Sequence, residues 1–188
     1  MPLTLADLTD KQRRHLETCI HEAGHAVAAV TLGGVIRSAV VASGRVLGVS
    51  GLTTVAEMPE GRSPEIAYSG PWAQACWLAG RRPTQREVFA VLATTGHRDD
   101  RVLLASGGTH TGHDAVPLLT HCWPAVVRVA QQLYKTGEAT QADVLAALSV
   151  DDGGGLSSFQ LANIRARLRS VPPIERAAVR KRKRGRAA

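Results

Sequence analysis

The segment His21-Glu22-Ala23-Gly24-His25 places two imidazoles four residues apart, with a carboxylate next to the first. On a helix, residues i and i+4 share one face about a turn apart, so both rings can grip one divalent cation. Glu22 is then set to reach a water on that cation, where it can take a proton and later return it. Zn2+ suits these donors: it lowers the pKa of its water from about 16 toward roughly 7 and polarises a carbonyl, which opens hydrolysis at neutral pH. The competing reading makes both histidines surface or satisfied core residues. Two His and one Glu at this spacing, within an apolar helix, favour the metal. The same five residues serve peptidases, other zinc hydrolases and sites that only bind metal, so alone they name no reaction.

A catalytic zinc takes three protein ligands and keeps a fourth position for water. The longer pattern HExxHxxGxxH is excluded, because Ala28 stands in place of its Gly and Thr31 in place of its last His. Candidates for the third ligand lie downstream: His97, Asp99, Asp100, and the cluster His110-Thr111-Gly112-His113-Asp114. His110 and His113 sit in a Gly/Thr-rich stretch with no partnered cysteine, and read as solvent-exposed loop residues rather than a second metal site.

The elements that must position these groups follow from periodicity. Leu5 to Leu32 reads as an opening helix that Gly33-Gly34 ends. Residues 35–56 are β-rich, with a turn expected at Ser43-Gly44, and this hairpin should pack on the first helix. An alanine-rich stretch from Ile66 to Leu78 is interrupted by Gly70-Pro71, and a short helical pattern follows within 83–96. Asp99 and Asp100 fall at a helix start. Residues 114–134 read as a helix broken near Trp123-Pro124, and Thr140 to Asp143 as a capping box. A last amphipathic helix uses Phe159, Leu161, Ile164 and Leu168. Trp72, Trp77 and Trp123 lie in apolar helices and read as core.

With these elements in place, the chain resembles the FtsH-type zinc metallopeptidase domain, whose hallmark HEAGHA stands here as His21 to Ala26. Gly44 to Ser50 is similar to that family's Leu-Gly-x-Thr strand segment, with Ser50 in the threonine place. Residues 66–80 resemble its alanine-rich helix, although Pro71-Trp72-Ala73-Gln74 replaces the usual Arg-Ala-Ala-Glu. The family's third ligand is an Asp four residues after a Gly, and Gly96 to Asp100 has that spacing. The resemblance therefore implies metal ligands His21, His25 and Asp100, with Asp99 next and Asp114 last, and Glu22 as general base. For Asp99 the alternative is preferred that it only stabilises a helix N-terminus, worth roughly 0.3–1 kcal/mol without metal. The resemblance also implies a zinc metalloendopeptidase, with the strand Val46 to Val55 holding a polypeptide substrate by β-augmentation. The expected fold is α+β and mainly helical: a zincin-like HExxH helix, a small β-hairpin or sheet, and a following helical bundle.

Length, charge and cysteines bound the rest. At 188 residues the chain suits one main domain, expected over 1–150, then a linker at 151–155, a C-terminal helix at 156–172 and a basic disordered tail at 173–188. The net charge of +7 resides mostly in that tail, so the folded part is nearly neutral. Nucleic-acid contact through the tail, extended by Arg165, Arg167 and Arg169, is the weaker reading, since no aromatic interleaving accompanies it. No apolar run suits a membrane span, no signal-peptide core opens the chain, and Cys19, Cys76 and Cys122 are unpaired in pattern, so a cytoplasmic location is expected. No phosphate-loop motif is present, so unfolding of substrates would need a separate ATPase partner. The alternative function is a non-catalytic, zinc-stabilised binding module acting through its basic C-terminal arm. The sequence leaves the oligomeric state open.

Overall fold

Helix α1 (Asp10–Thr31) starts where Thr9 and Gln12 cap each other: the Thr9 hydroxyl accepts from the Gln12 amide and the Gln12 side chain accepts from the Thr9 amide. The computed structural model describes residues 7–46 and 49–174. The first turns of α1 are exposed, whereas everything from Cys19 to Thr31 is buried. The second half of α1 is thus the central rod of the fold, with Gly33 (φ +95°) turning the chain away at its end.

Strands β1 (Val35–Val46) and β2 (Val49–Glu57) form an antiparallel hairpin, and the short β3 (Glu138–Ala139) completes a three-stranded sheet of order β2-β1-β3. Ala39 is paired on both sides, with Thr53 and with Ala139. The turn expected at Ser43-Gly44 is not there. β1 runs through both residues to Val46, which pairs with Val49. β2 is an edge strand lying along α1, as the sequence led us to expect for the sheet.

Helices α2 (Ser63–Ala79), α3 (Gln85–Leu92), α4 (His97–Ala105), α5 (Ala115–Thr136), α6 (Gln141–Leu148) and α7 (Phe159–Arg165) make the protein mainly helical, an α+β fold. Two expected breaks are absent. α2 continues through Gly70-Pro71 and α5 through Pro124. Each proline removes one backbone hydrogen bond, but the flanking turns bury residues 65–75 in α2 and Cys122, Ala125 and Val126 in α5, so packing holds the helices together. Trp72 is buried and meets Trp123 edge-to-face at 6.2 Å, in agreement with the core reading.

The last helix buries Leu161 and Ile164, leaves Phe159 largely exposed and ends at Arg165, short of the exposed Leu168, so its apolar face is narrower than the sequence pattern suggests. Arg165 and Arg169 are tied to the backbone. They donate to the carbonyl oxygens of Thr31 (2.8 Å) and Ser149 (2.6 Å). The glycine-rich segment at 151–155 is tied by Asp152, whose carboxylate accepts from the Ser158 hydroxyl and the Gln160 amide. Residues 175–188, with most of the expected basic arm, lie outside the described residues, as do 1–6, 47 and 48. No helix among the described residues is long and apolar enough to cross a membrane.

The contact that fixes the site is the crossing of α1 over α2. A Cβ on Gly24 would stand 2.6 Å from the Ser69 carbonyl oxygen and 2.8 Å from the Ala73 Cβ. Replacing glycine by alanine within a helix ordinarily stabilises it by about 1 kcal/mol. At Gly24 the added methyl has no room, and overpacking of a tight core costs about 1–3 kcal/mol. Gly24→Ala is therefore expected to lower stability, read as a fall in Tm by circular dichroism. A rise in Tm would contradict this crossing.

Candidate metal centre

His21 and His25 project from the buried half of α1 toward α2 and α4. The Nε2 atoms of the two rings stand 3.1 Å apart. Asp99, on the first turn of α4, closes the triangle, with Oδ2 3.1 Å from His21 Nε2 and Oδ1 3.2 Å from His25 Nε2. Asp99 and the two histidines form the one His/Cys/Asp/Glu group among the described residues able to hold a metal ion.

Asp100, the preferred third ligand on the sequence, takes no part in this convergence. Its backbone amide bonds to the Gly96 carbonyl. The helix begins at His97, and a step of one residue turns a side chain by about 100°, so only one of the adjacent aspartates can face α1. That one is Asp99. His97 is exposed on the rim, and Asp114 is exposed at the start of α5. His110 is exposed as expected, but His113 is not: its Nε2 is buried without a partner and its ring packs edge-on against Tyr68 at 5.0 Å.

The other ring nitrogens decide what the centre can accept. His25 Nδ1 lies 2.7 Å from the Ile66 carbonyl oxygen, which can only accept, so His25 carries its proton on Nδ1. His21 Nδ1 lies 3.0 Å from Gln74 Oε1, an oxygen that also accepts from the Thr95 hydroxyl at 3.0 Å. Both Nε2 lone pairs and the two Asp99 oxygens then point at one another, and this is repulsive unless a cation lies between them. A tetrahedral zinc with ligands at about 2.0–2.1 Å needs donor atoms roughly 3.3 Å apart, and each Nε2 stands near that distance from the other and from its own Asp99 oxygen, Oδ2 for His21 and Oδ1 for His25. The donor set therefore fits zinc. Without a metal, a proton must serve. Burial pushes the His25 pKa down, but the charge of Asp99 outweighs it and lifts the pKa to about 9. Burial would raise the Asp99 pKa, and the two imidazoles reverse this, holding it well below the usual carboxylate range.

Gln74 was not foreseen as a site residue. It is 5% exposed on an otherwise apolar helix. A buried amide there was the available signal, since such a group must find hydrogen-bond partners. It holds His21 as Ile66 holds His25. Gly70 is equally specific: a Cβ there would stand 2.3 Å from His25 Nε2.

Glu22 stands apart from the ligand triangle. Its Oε2 accepts from the Thr53 hydroxyl at 2.8 Å, and Gly51 on β2 gives it room, for a Cβ at Gly51 would lie 2.7 Å from Glu22 Cγ and Oε1. Its Oε1 has no hydrogen-bond partner among the described residues. Burial first, and then the Glu22 charge, pushes the Cys19 thiol up to about 12. A cleft of about 1240 Å3 runs over these groups, with α1 as its floor and β2 and α4 at its sides.

No family model, no curated protein and no solved structure matches this chain.

The metal-free protein should show a defined pH response. A histidine whose pKa is raised on folding adds stability that is complete below its unfolded value of about 6.5 and is lost as pH passes the folded value. Without metal, Tm should therefore fall between pH 7 and about 9.5, as His25 loses its proton beside Asp99. Thermal melts in EDTA test this, and Asp99→Asn should flatten the slope. An unchanged Tm in wild type over this range would contradict the proton-bridged arrangement.

Proposed function

We propose that this chain is a zinc-dependent endopeptidase with a zincin-like centre, whose ligands are His21, His25 and Asp99 and whose general base is Glu22. The observation that carries the reading is the convergence of both Nε2 atoms and the Asp99 carboxylate, with both Nδ1 atoms already engaged and a separate carboxylate beside them. When bound, zinc supplies Lewis-acid polarisation of a carbonyl and acidification of water.

The protein's own groups do the rest. Gln74 and the Ile66 carbonyl fix the tautomer of each imidazole and strengthen it as a donor. The Thr53 hydroxyl orients Glu22 through Oε2 and leaves Oε1 to take the proton of the attacking water and pass it to the leaving amine. The cleft exceeds the roughly 300–1,000 Å3 of small-molecule sites, which favours an extended polymer as substrate. β2 is paired only with β1 among the described residues, so its outer edge can receive a peptide strand along Ser50 to Val55, all of it beside the cleft or within one residue of it. This supports a peptide over another amide.

Two measurements test the reading. Zinc content should be about one ion per chain in wild type and in Asp100→Ala, and should fall sharply in Asp99→Ala and in Gly70→Ala, which displaces His25. Glu22→Gln should keep the zinc and lose at least a hundredfold in hydrolysis of an unfolded protein such as casein. Full zinc with no hydrolysis by the wild type would leave the binding-module reading in its place.

A further inference from the structure

The two flanks of the cleft carry charge that the chemistry above does not use. Lys11 and Arg14 line it from the exposed first turns of α1, and Arg98 and Arg101 line it from α4. None of the four forms an ion pair among the described residues, although Arg62 and Arg81 elsewhere do. Apart from Glu22 and Asp99, one carboxylate lines the cleft, the partly buried Glu17 on α1, whose charge is favoured by Arg13 and Arg14 one turn away. The remaining titratable groups there, His15 and His97, add no negative charge, and His15 is stacked on Tyr134 at 5.3 Å.

We propose that the cleft selects polypeptides with acidic side chains flanking the bond to be cut. This rests on the hydrolytic reading above. The positions suit an extended chain. At 1.5 Å per residue, Arg14 and Lys11 lie about 10 Å and 15 Å from His21 along α1, the reach of roughly three to five residues of an extended peptide. Arg98 and Arg101 are three apart and so share one side of α4, each within a turn of Asp99. An Asp or Glu several residues from the scissile bond therefore meets a cation on either helix, with the charge of Arg14 partly offset by Glu17. Basic peptides meet four like charges. The opposite reach of the cleft is lined by Val55, Met58, Ile66 and Ala67 and takes an apolar side chain.

Exposed pairs of this kind each contribute roughly a two- to fivefold preference, so several together give about tenfold, weakening as salt screens them. Two peptides of equal length and identical central residues, one flanked by Glu and one by Lys, are compared as substrates of the zinc-loaded full chain at low and high salt. The Glu peptide is expected to have the higher kcat/KM by about tenfold at low salt, with the gap narrowing at high salt. Lys11→Glu/Arg14→Glu, remote from the ligands, should retain zinc and lose or invert the preference, and Arg101→Glu should reduce it. Equal cleavage of both peptides, or a preference unchanged in these variants, overturns the proposal while leaving the hydrolytic reading intact. If neither peptide is cut, that reading fails. Fluorescence anisotropy of the same labelled peptides on zinc-loaded Glu22→Gln then still decides the selectivity: tighter binding of the Glu peptide supports it, and equal or weaker binding overturns it. Displacement of the bound Glu peptide by a single-stranded oligonucleotide but not by polyglutamate would assign the cations to nucleic acid, and this also overturns the proposal.

Discussion

Everything at the centre depends on how closely two helices approach. α1 and α2 cross where Gly24 faces Ser69 and Ala73, and where Gly70 presents bare backbone to the ring of His25. Side chains at either glycine would hold the helices apart by the width of a methyl group. His25 would then lose the Ile66 carbonyl, and His21 would move off Gln74. The crossing thus sets imidazole orientation through backbone contact, which is stiffer than a contact between flexible side chains. Core packing and site geometry are one structure here, since the same turn of α1 that fills the core carries the donors.

Around that crossing the fold seats its two cleft carboxylates, Asp99 and Glu22, on different elements. Asp99 arrives from α4 and faces the imidazoles. Glu22, in the same cleft, leans on β2, where Thr53 and Gly51 receive it. One helical step of about 100° divides Glu22 from His21, so Glu22 leans on β2 while His21 leans on α2 and α4, all within one cleft. In the proposed reading, the acid that would bind metal and the acid that would shuttle protons are held apart by the two elements they lean on.

The local part of this was legible in the sequence. His21, Glu22 and His25 lie within five residues, and helix periodicity alone fixes their relation. Capping at Thr140 was equally plain, because the partners are three residues apart. Asp99 against Asp100 was not legible: the choice depends on the phase of α4, set by where the helix begins after Gly96 and by packing against residues about 75 positions upstream. Pro71 and Pro124 pointed to breaks that tertiary burial overrides, and Ser43-Gly44 pointed to a turn that strand pairing carries past. Gln74 belongs with these, since its partner His21 is 53 residues away.

The donors at this centre are nitrogen and oxygen only. The nearest sulfur in sequence, Cys19, is fully buried in the core with its thiol kept protonated, and Cys122 is likewise buried and pushed up to about 12. Metal sites built on thiolates discharge their ion when the sulfurs oxidise. An ion held by His21, His25 and Asp99 would have no such release route, so its occupancy would be uncoupled from the oxidant load around the protein and would answer instead to acidity.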